Sequence, residues 1–128
     1  MAREPIPEDL RRFILTSIPS VPFLEALLVY RGARGEALAP TLLNRRLYVS
    51  ERVGAEVIEQ LVASRFIVPA ADPEVGHRFA PEPEAAAMIE QLAECYRSNL
   101  VAVTALIHSK TGRIAQQFAD AFKLRKDS

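Results

Sequence analysis

Residues 38–80 read LAPTLLNRRLYVSERVGAEVIEQLVASRFIVPAADPEVGHRFA, and the order of signals in this stretch decides the fold. Its first part, APTLLNRRLY, carries Pro40 near the start and Leu42, Leu43 and Leu47 at helical spacing. A proline is tolerated in a first helical turn, where the N–H groups have no partner within the helix. Tyr48-Val49-Ser50 reads as a turn, and Ser50 as the N-cap of a second helix over 51–65. Position 53 is Val, so the capping box is incomplete. Within this helix Val53, Val57 and Leu61 recur every four residues, Ile58 and Val62 widen the stripe, and the other face offers Glu51, Arg52, Ala55, Glu56, Glu59 and Gln60. Phe66-Ile67-Val68 then begins a strand, AADPEVG carries turn chemistry in Asp72-Pro73 and Gly76, and His77-Arg78-Phe79 returns as a second strand.

Working outward, residues 1–7 read as an irregular arm, and 8–18 as a helix with Leu10, Phe13, Ile14 and Ile18 inward. Ser20 caps a further helix, VPFLEALLVYRG, which stops at Gly32. The segment GEALA fits a short connector strand. Beyond the hairpin, Pro81 and Pro83 precede a long helical tract in which Ile89, Leu92, Tyr96, Leu100, Val103 and Ile107 recur at spacings of three and four, over about five turns. Lys110-Thr111-Gly112 breaks it, and RIAQQFADAF reads as a last helix before the polar tail KLRKDS. The expected organisation is residues 1–83 as the main unit and 84–128 as a helical extension that packs on it, pairs two chains, or both.

Composition limits the classes of function. The chain has 128 residues, of which 49% are hydrophobic and 25% charged, ordinary values for a globular domain. Its one cysteine, Cys95, cannot form an internal disulfide, and MAREPIPEDLRR has no apolar signal region, so a cytoplasmic setting is expected. The longest apolar run, residues 100–107, is too short to cross a bilayer, so no membrane partner is expected. Sixteen bases balance sixteen acids, whereas nucleic-acid-binding domains usually carry a basic excess.

Short helix, turn, longer helix and hairpin in this order form the pattern of a winged helix-turn-helix, whose second helix enters a DNA major groove. Residues 36–80 resemble the winged helix-turn-helix superfamily of bacterial transcription regulators, in the neighbourhood of its MarR-like and ArsR-like groups. LYVSERVGAEVIEQLVASRFI and HRFAP carry the resemblance, and FADAFKLRKD is similar to the tail of a small bacterial group of this architecture. The resemblance implies a mainly α fold with a small β-hairpin wing and C-terminal helices, and a homodimeric, non-enzymatic regulator reading a pseudo-palindromic site. It puts Ser50, Arg52 and Ala55 on the recognition helix, with Arg52 suited to guanine. It puts Asn44, Arg45 and Arg46 near phosphates, and His77 and Arg78 on the wing.

Against DNA, residues 40–81 hold five bases (Arg45, Arg46, Arg52, Arg65, Arg78) and five acids (Glu51, Glu56, Glu59, Asp72, Glu74), a poor balance for counterion release. The alternative is a winged-helix adaptor whose Glu51, Glu56 and Glu59 bind a basic protein partner without DNA. Catalysis lacks a signature, since His77 and His108 fall on different elements and no nucleophile or phosphate-binding motif is present. His77, His108 and Cys95 lack metal-ligand spacing, and no cofactor is expected. Cys95 sits beside the Leu92/Tyr96 stripe as a small hydrophobe, with thiol sensing as the sharper alternative. Glu90, Glu94 and Arg97 read as a solvated, salt-bridged face. Tyr30, Tyr48 and Tyr96 are candidates either for a small-molecule cleft or for core packing.

Overall fold

The computed structural model describes residues 6–109. These form a mainly helical fold with one small antiparallel sheet. In chain order the elements are α1 (Glu8–Ser17), α2 (Val21–Gly32), α3 (Pro40–Leu47), α4 (Glu51–Ala63), β1 (Ile67–Pro69), a 3₁₀ turn (Pro73–Val75), β2 (His77–Phe79), α5 (Pro83–Ser98) and α6 (Leu100–Ser109). The expected helix over 113–122 and the polar tail lie outside the described residues.

The central element is α2, whose sequence is apolar nearly all round. Such a helix has no face to leave in water. It buries Phe23, Leu24, Ala26, Leu27 and Tyr30 and touches α3, α4 and β2. Its start is set by Ser20, whose hydroxyl accepts from the Phe23 N–H at 3.2 Å, with proline in the first turn. Leu10, Ile14 and Ile18 of the α1 segment, Leu38 before α3 and Leu43 within it, Val57, Ile58 and Leu61 of α4, Phe66 and Ile67, and Ile89 and Leu92 of α5 complete the core with Val103 and Ile107 of α6. Phe66 contacts both Phe13 and Phe23, with ring centroids 6.1 and 6.2 Å apart.

Between α3 and α4 the chain turns at Tyr48, which adopts the left-handed conformation (φ 56°) and ends α3. Ser50 then caps α4, accepting from the Val53 N–H at 3.2 Å. Arg65, also left-handed (φ 64°), stops the chain from extending α4 through 65, so that helix ends at Ala63. In the hairpin Ile67 lies opposite Phe79, Val68 opposite Arg78 and Pro69 opposite His77. The expected connector strand is reduced to one antiparallel bridge: the Leu38 N–H donates to the His77 carbonyl at 2.8 Å, and the His77 N–H returns to Leu38 at 3.2 Å. Gly76 makes the bridge feasible, since at φ 117° a Cβ there would collide with the Leu38 carbonyl.

Two further expectations are corrected. The C-terminal tract is not one helix through residue 107. It breaks at Asn99, whose N–H donates to the Cys95 carbonyl to end α5 and whose carbonyl accepts the Val103 N–H to start α6. Asn favours this junction because its side chain competes with helical backbone bonding. Val62 does not widen the buried stripe: it is exposed at the edge of α4. No single helix among the described residues is long and apolar enough to cross a membrane.

Candidate nucleic-acid interface

The outward face of α4 is set by the burial of its other side. With Val57, Ile58 and Leu61 held in the core, the 3.6-residue period turns Glu51, Arg52, Ala55, Glu56, Glu59 and Gln60 to solvent. The Arg52 guanidinium reaches the Glu56 carboxylate one turn later at 3.5 Å, with both side chains largely exposed. A pair in this setting is worth only a few tenths of a kcal/mol, so Arg52 is free to trade Glu56 for another acceptor.

How close α3 and α4 approach depends on Gly54. A Cβ at this position would overlap the carboxamide of Asn44, which packs across the glycine. The Asn44 Oδ1 is consequently buried and has no hydrogen-bond partner.

The residues expected at a DNA surface divide into four groups. Asn44, Ala55 and His77 line one groove of about 510 Å³, together with Pro40, Thr41, Glu51, Ile58, Glu59 and Val62. Arg46 lines a different depression, on the far side of α3, with Gly32, Ala33, Arg34, Glu36 and Leu38. Arg78 is exposed and, one residue after His77 on β2, points to the opposite face of the hairpin. Arg45, Ser50 and Arg52 are exposed near the α3–α4 turn. His77 is held by its backbone bridge to Leu38, and its Nδ1 is buried without a hydrogen-bond partner.

Charge on this side is mixed. The hairpin tip is a compact acidic turn in which Asp72 accepts through Oδ1 from the Glu74 N–H at 3.0 Å and through its carbonyl from the Val75 N–H at 3.0 Å. Both acids are exposed. Glu51 and Glu59 flank Ala55 in the groove and form no ion pair among the described residues. Sequence reasoning found this acidic face but missed Pro40, Thr41 and Val62 as part of its lining.

The other candidates disperse. Tyr30 is fully buried, Tyr48 is 95% exposed, and the Tyr96 hydroxyl donates to Glu25 at 3.4 Å, so the three tyrosines share no cleft. Burial pushes the Tyr30 hydroxyl up to about 12 and raises the Cys95 thiol above its ordinary value. No group of three metal-ligating side chains comes together among the described residues. Glu90 does not face solvent alone: Arg31 of α2 grips it with two hydrogen bonds, of 2.8 and 2.7 Å. Glu94 pairs with Arg97 at 3.0 Å. No family model, curated protein or solved structure matches this chain.

Proposed function

We propose that the chain is a winged helix-turn-helix module in the MarR-like and ArsR-like neighbourhood, acting as a non-enzymatic transcription regulator that reads DNA with α4. One observation carries this: α3, the left-handed turn at Tyr48 and the Ser50-capped α4 lie beside a hairpin to which Leu38 adds a third extended segment. This arrangement leaves the first turns of α4 exposed next to the hairpin, as major-groove entry requires.

On DNA, Arg52 exchanges Glu56 for a guanine edge, Ser50 and Ala55 lie alongside it, and Arg45 approaches the backbone. Arg46 and Arg78 reach phosphates only from the flanks. With acids matching bases across this side, affinity draws little on counterion release and depends on base contacts doubled by symmetry. A homodimer through the C-terminal helices supplies that symmetry. Leu100 and Val101, 52% and 62% exposed on α6, support such a contact.

The test is a fluorescence-anisotropy titration against fragments of the source genome at about 50 and 200 mM salt. Submicromolar binding that resists competitor DNA is the expected result. Arg52→Ala should then weaken the specific complex by ~1–3 kcal/mol. An unchanged affinity would remove α4 as the reading element, and no binding at low salt would sink the DNA function.

A further inference from the structure

The groove between α3, α4 and His77 has a chemistry that DNA does not match. Its floor is apolar, from Pro40, Ala55, Ile58 and Val62, and its two charged lining residues, Glu51 and Glu59, are both acids. They stand eight residues apart on α4, about 12 Å along the axis. Phosphates brought between them would be repelled at short range. Cations spaced by the same distance would be held at both ends with apolar contact between. In an extended segment about 12 Å corresponds to three or four residues.

We propose that this groove docks the chain's own basic C-terminal segment, in which two cationic side chains lie three residues apart with an apolar side chain between them. Charge complementarity selects this occupant. The apolar side chain fills the space over Ala55 and Ile58, while the cations meet Glu51 and Glu59. The chain itself contains a sequence of this kind. Residues 6–109 hold ten basic and thirteen acidic side chains, whereas residues 110–128 hold five basic and two acidic. The net charges are therefore −3 and +3, and Lys123 and Lys126 flank Leu124 at the required spacing. The docking does not rest on the DNA function, although Asn44, Ala55 and His77, which are expected at the DNA surface, also line this groove, so the two occupants exclude each other.

A fluorescein-labelled synthetic peptide, QFADAFKLRKDS, is the probe. It is titrated by anisotropy at low salt, without DNA, against the full chain. A parallel titration uses the full chain carrying Lys123→Glu, Arg125→Glu and Lys126→Glu, whose own tail no longer competes. Micromolar binding to the second chain is expected, and weaker binding to the first, whose own tail competes; equal affinity for the two overturns the docking of the tail. Glu51→Gln with Glu59→Gln should weaken the peptide roughly tenfold, two lost charge contacts acting together. Ala55→Arg should abolish peptide binding by filling the groove with a cation, while strengthening any DNA complex. All three positions are exposed, so the fold tolerates the changes, and circular dichroism checks it. Failure to bind either chain at millimolar concentration overturns the docking, as does an affinity indifferent to Glu51, Glu59 and Ala55. A negative DNA titration leaves these measurements untouched, and their failure leaves the DNA titration standing.

Discussion

Asn44 lies across Gly54 with its carboxamide in the space a β-carbon would occupy, so α3 and α4 approach closely at this point. Alanine at 54 gains up to about 1 kcal/mol in helix propensity. Overpacking costs about 1–3 kcal/mol, and here the carboxamide carbon collides as well as the oxygen, so the end of the side chain has to leave its site. Gly54→Ala is therefore expected to lower stability by about 1 kcal/mol in urea denaturation. Adding Asn44→Ala should recover most of that loss. A Gly54→Ala chain as stable as the parent would mean that the two helices part freely.

Tyr30 offers a case in which removing a polar atom helps. Its hydroxyl is buried and unpartnered, so the parent bears a desolvation cost with no hydrogen bond to offset it. Tyr30→Phe should leave stability at pH 7 unchanged or raise it by about 1 kcal/mol. The pH dependence has a definite sign. The folded-state value of about 12 exceeds the unfolded one near 10, so the phenol leaves stability independent of pH below about 10 and lowers it as pH rises towards 12, where only the unfolded chain ionises freely. Thermal melts from pH 9 to 11.5 should show the parent falling faster than Tyr30→Phe, and parallel curves would refute the assignment.

At the acid end the Arg31–Glu90 bridge matters. The Arg31 hydrogen bonds hold the Glu90 carboxyl below its ordinary range, and Glu90 in turn raises the Arg31 guanidinium, so both partners report the same attraction. A depressed carboxyl contributes stability above its unfolded value, about 4.3, and loses it as pH falls through the folded one. Glu90→Gln should melt below the parent at pH 7 and together with it near pH 2. A difference that persisted at the lower pH would assign the effect to packing between α2 and α5.

Val101 tests the proposed pairing of two chains. Because it is mostly exposed in a single chain, Val101→Glu should change monomer stability by no more than about 0.5 kcal/mol. Light scattering after size exclusion should show a dimer in the parent and a monomer in the variant. A dimer in both would move the contact away from the start of α6.

Much of the fold is legible because its boundaries have chemical marks. Ser20 with Pro22, and Ser50 ahead of an apolar stripe, set the starts of α2 and α4 to the residue. The break at Asn99 is hidden since Leu92, Tyr96, Leu100 and Val103 keep helical spacing across it, although Leu100 proves half exposed. Glu51, Ala55 and Glu59 are readable as one face from their four-residue spacing. The closure of that face into a groove is not, because it depends on Pro40, Thr41 and His77 arriving from other elements. The divergence of His77 and Arg78 follows from strand alternation and is readable in principle. The turning of Arg46 towards Glu36 and Leu38 needs the orientation of α3, which short helical periodicity leaves open.

The left-handed turn at Tyr48 has an optical consequence. The chain has three tyrosines and no tryptophan, so near-ultraviolet emission comes from phenol rings alone. Tyr30 is sealed in the core and Tyr96 donates to a carboxylate, whereas Tyr48 stands almost wholly in water beside the start of α4. A dissolved quencher such as iodide or acrylamide therefore reaches Tyr48 far more readily than the other two. Anything seated over the α3–α4 turn, whether a duplex or a second chain, shields that ring and restores its emission. Occupancy of this surface can thus be followed in the unlabelled protein.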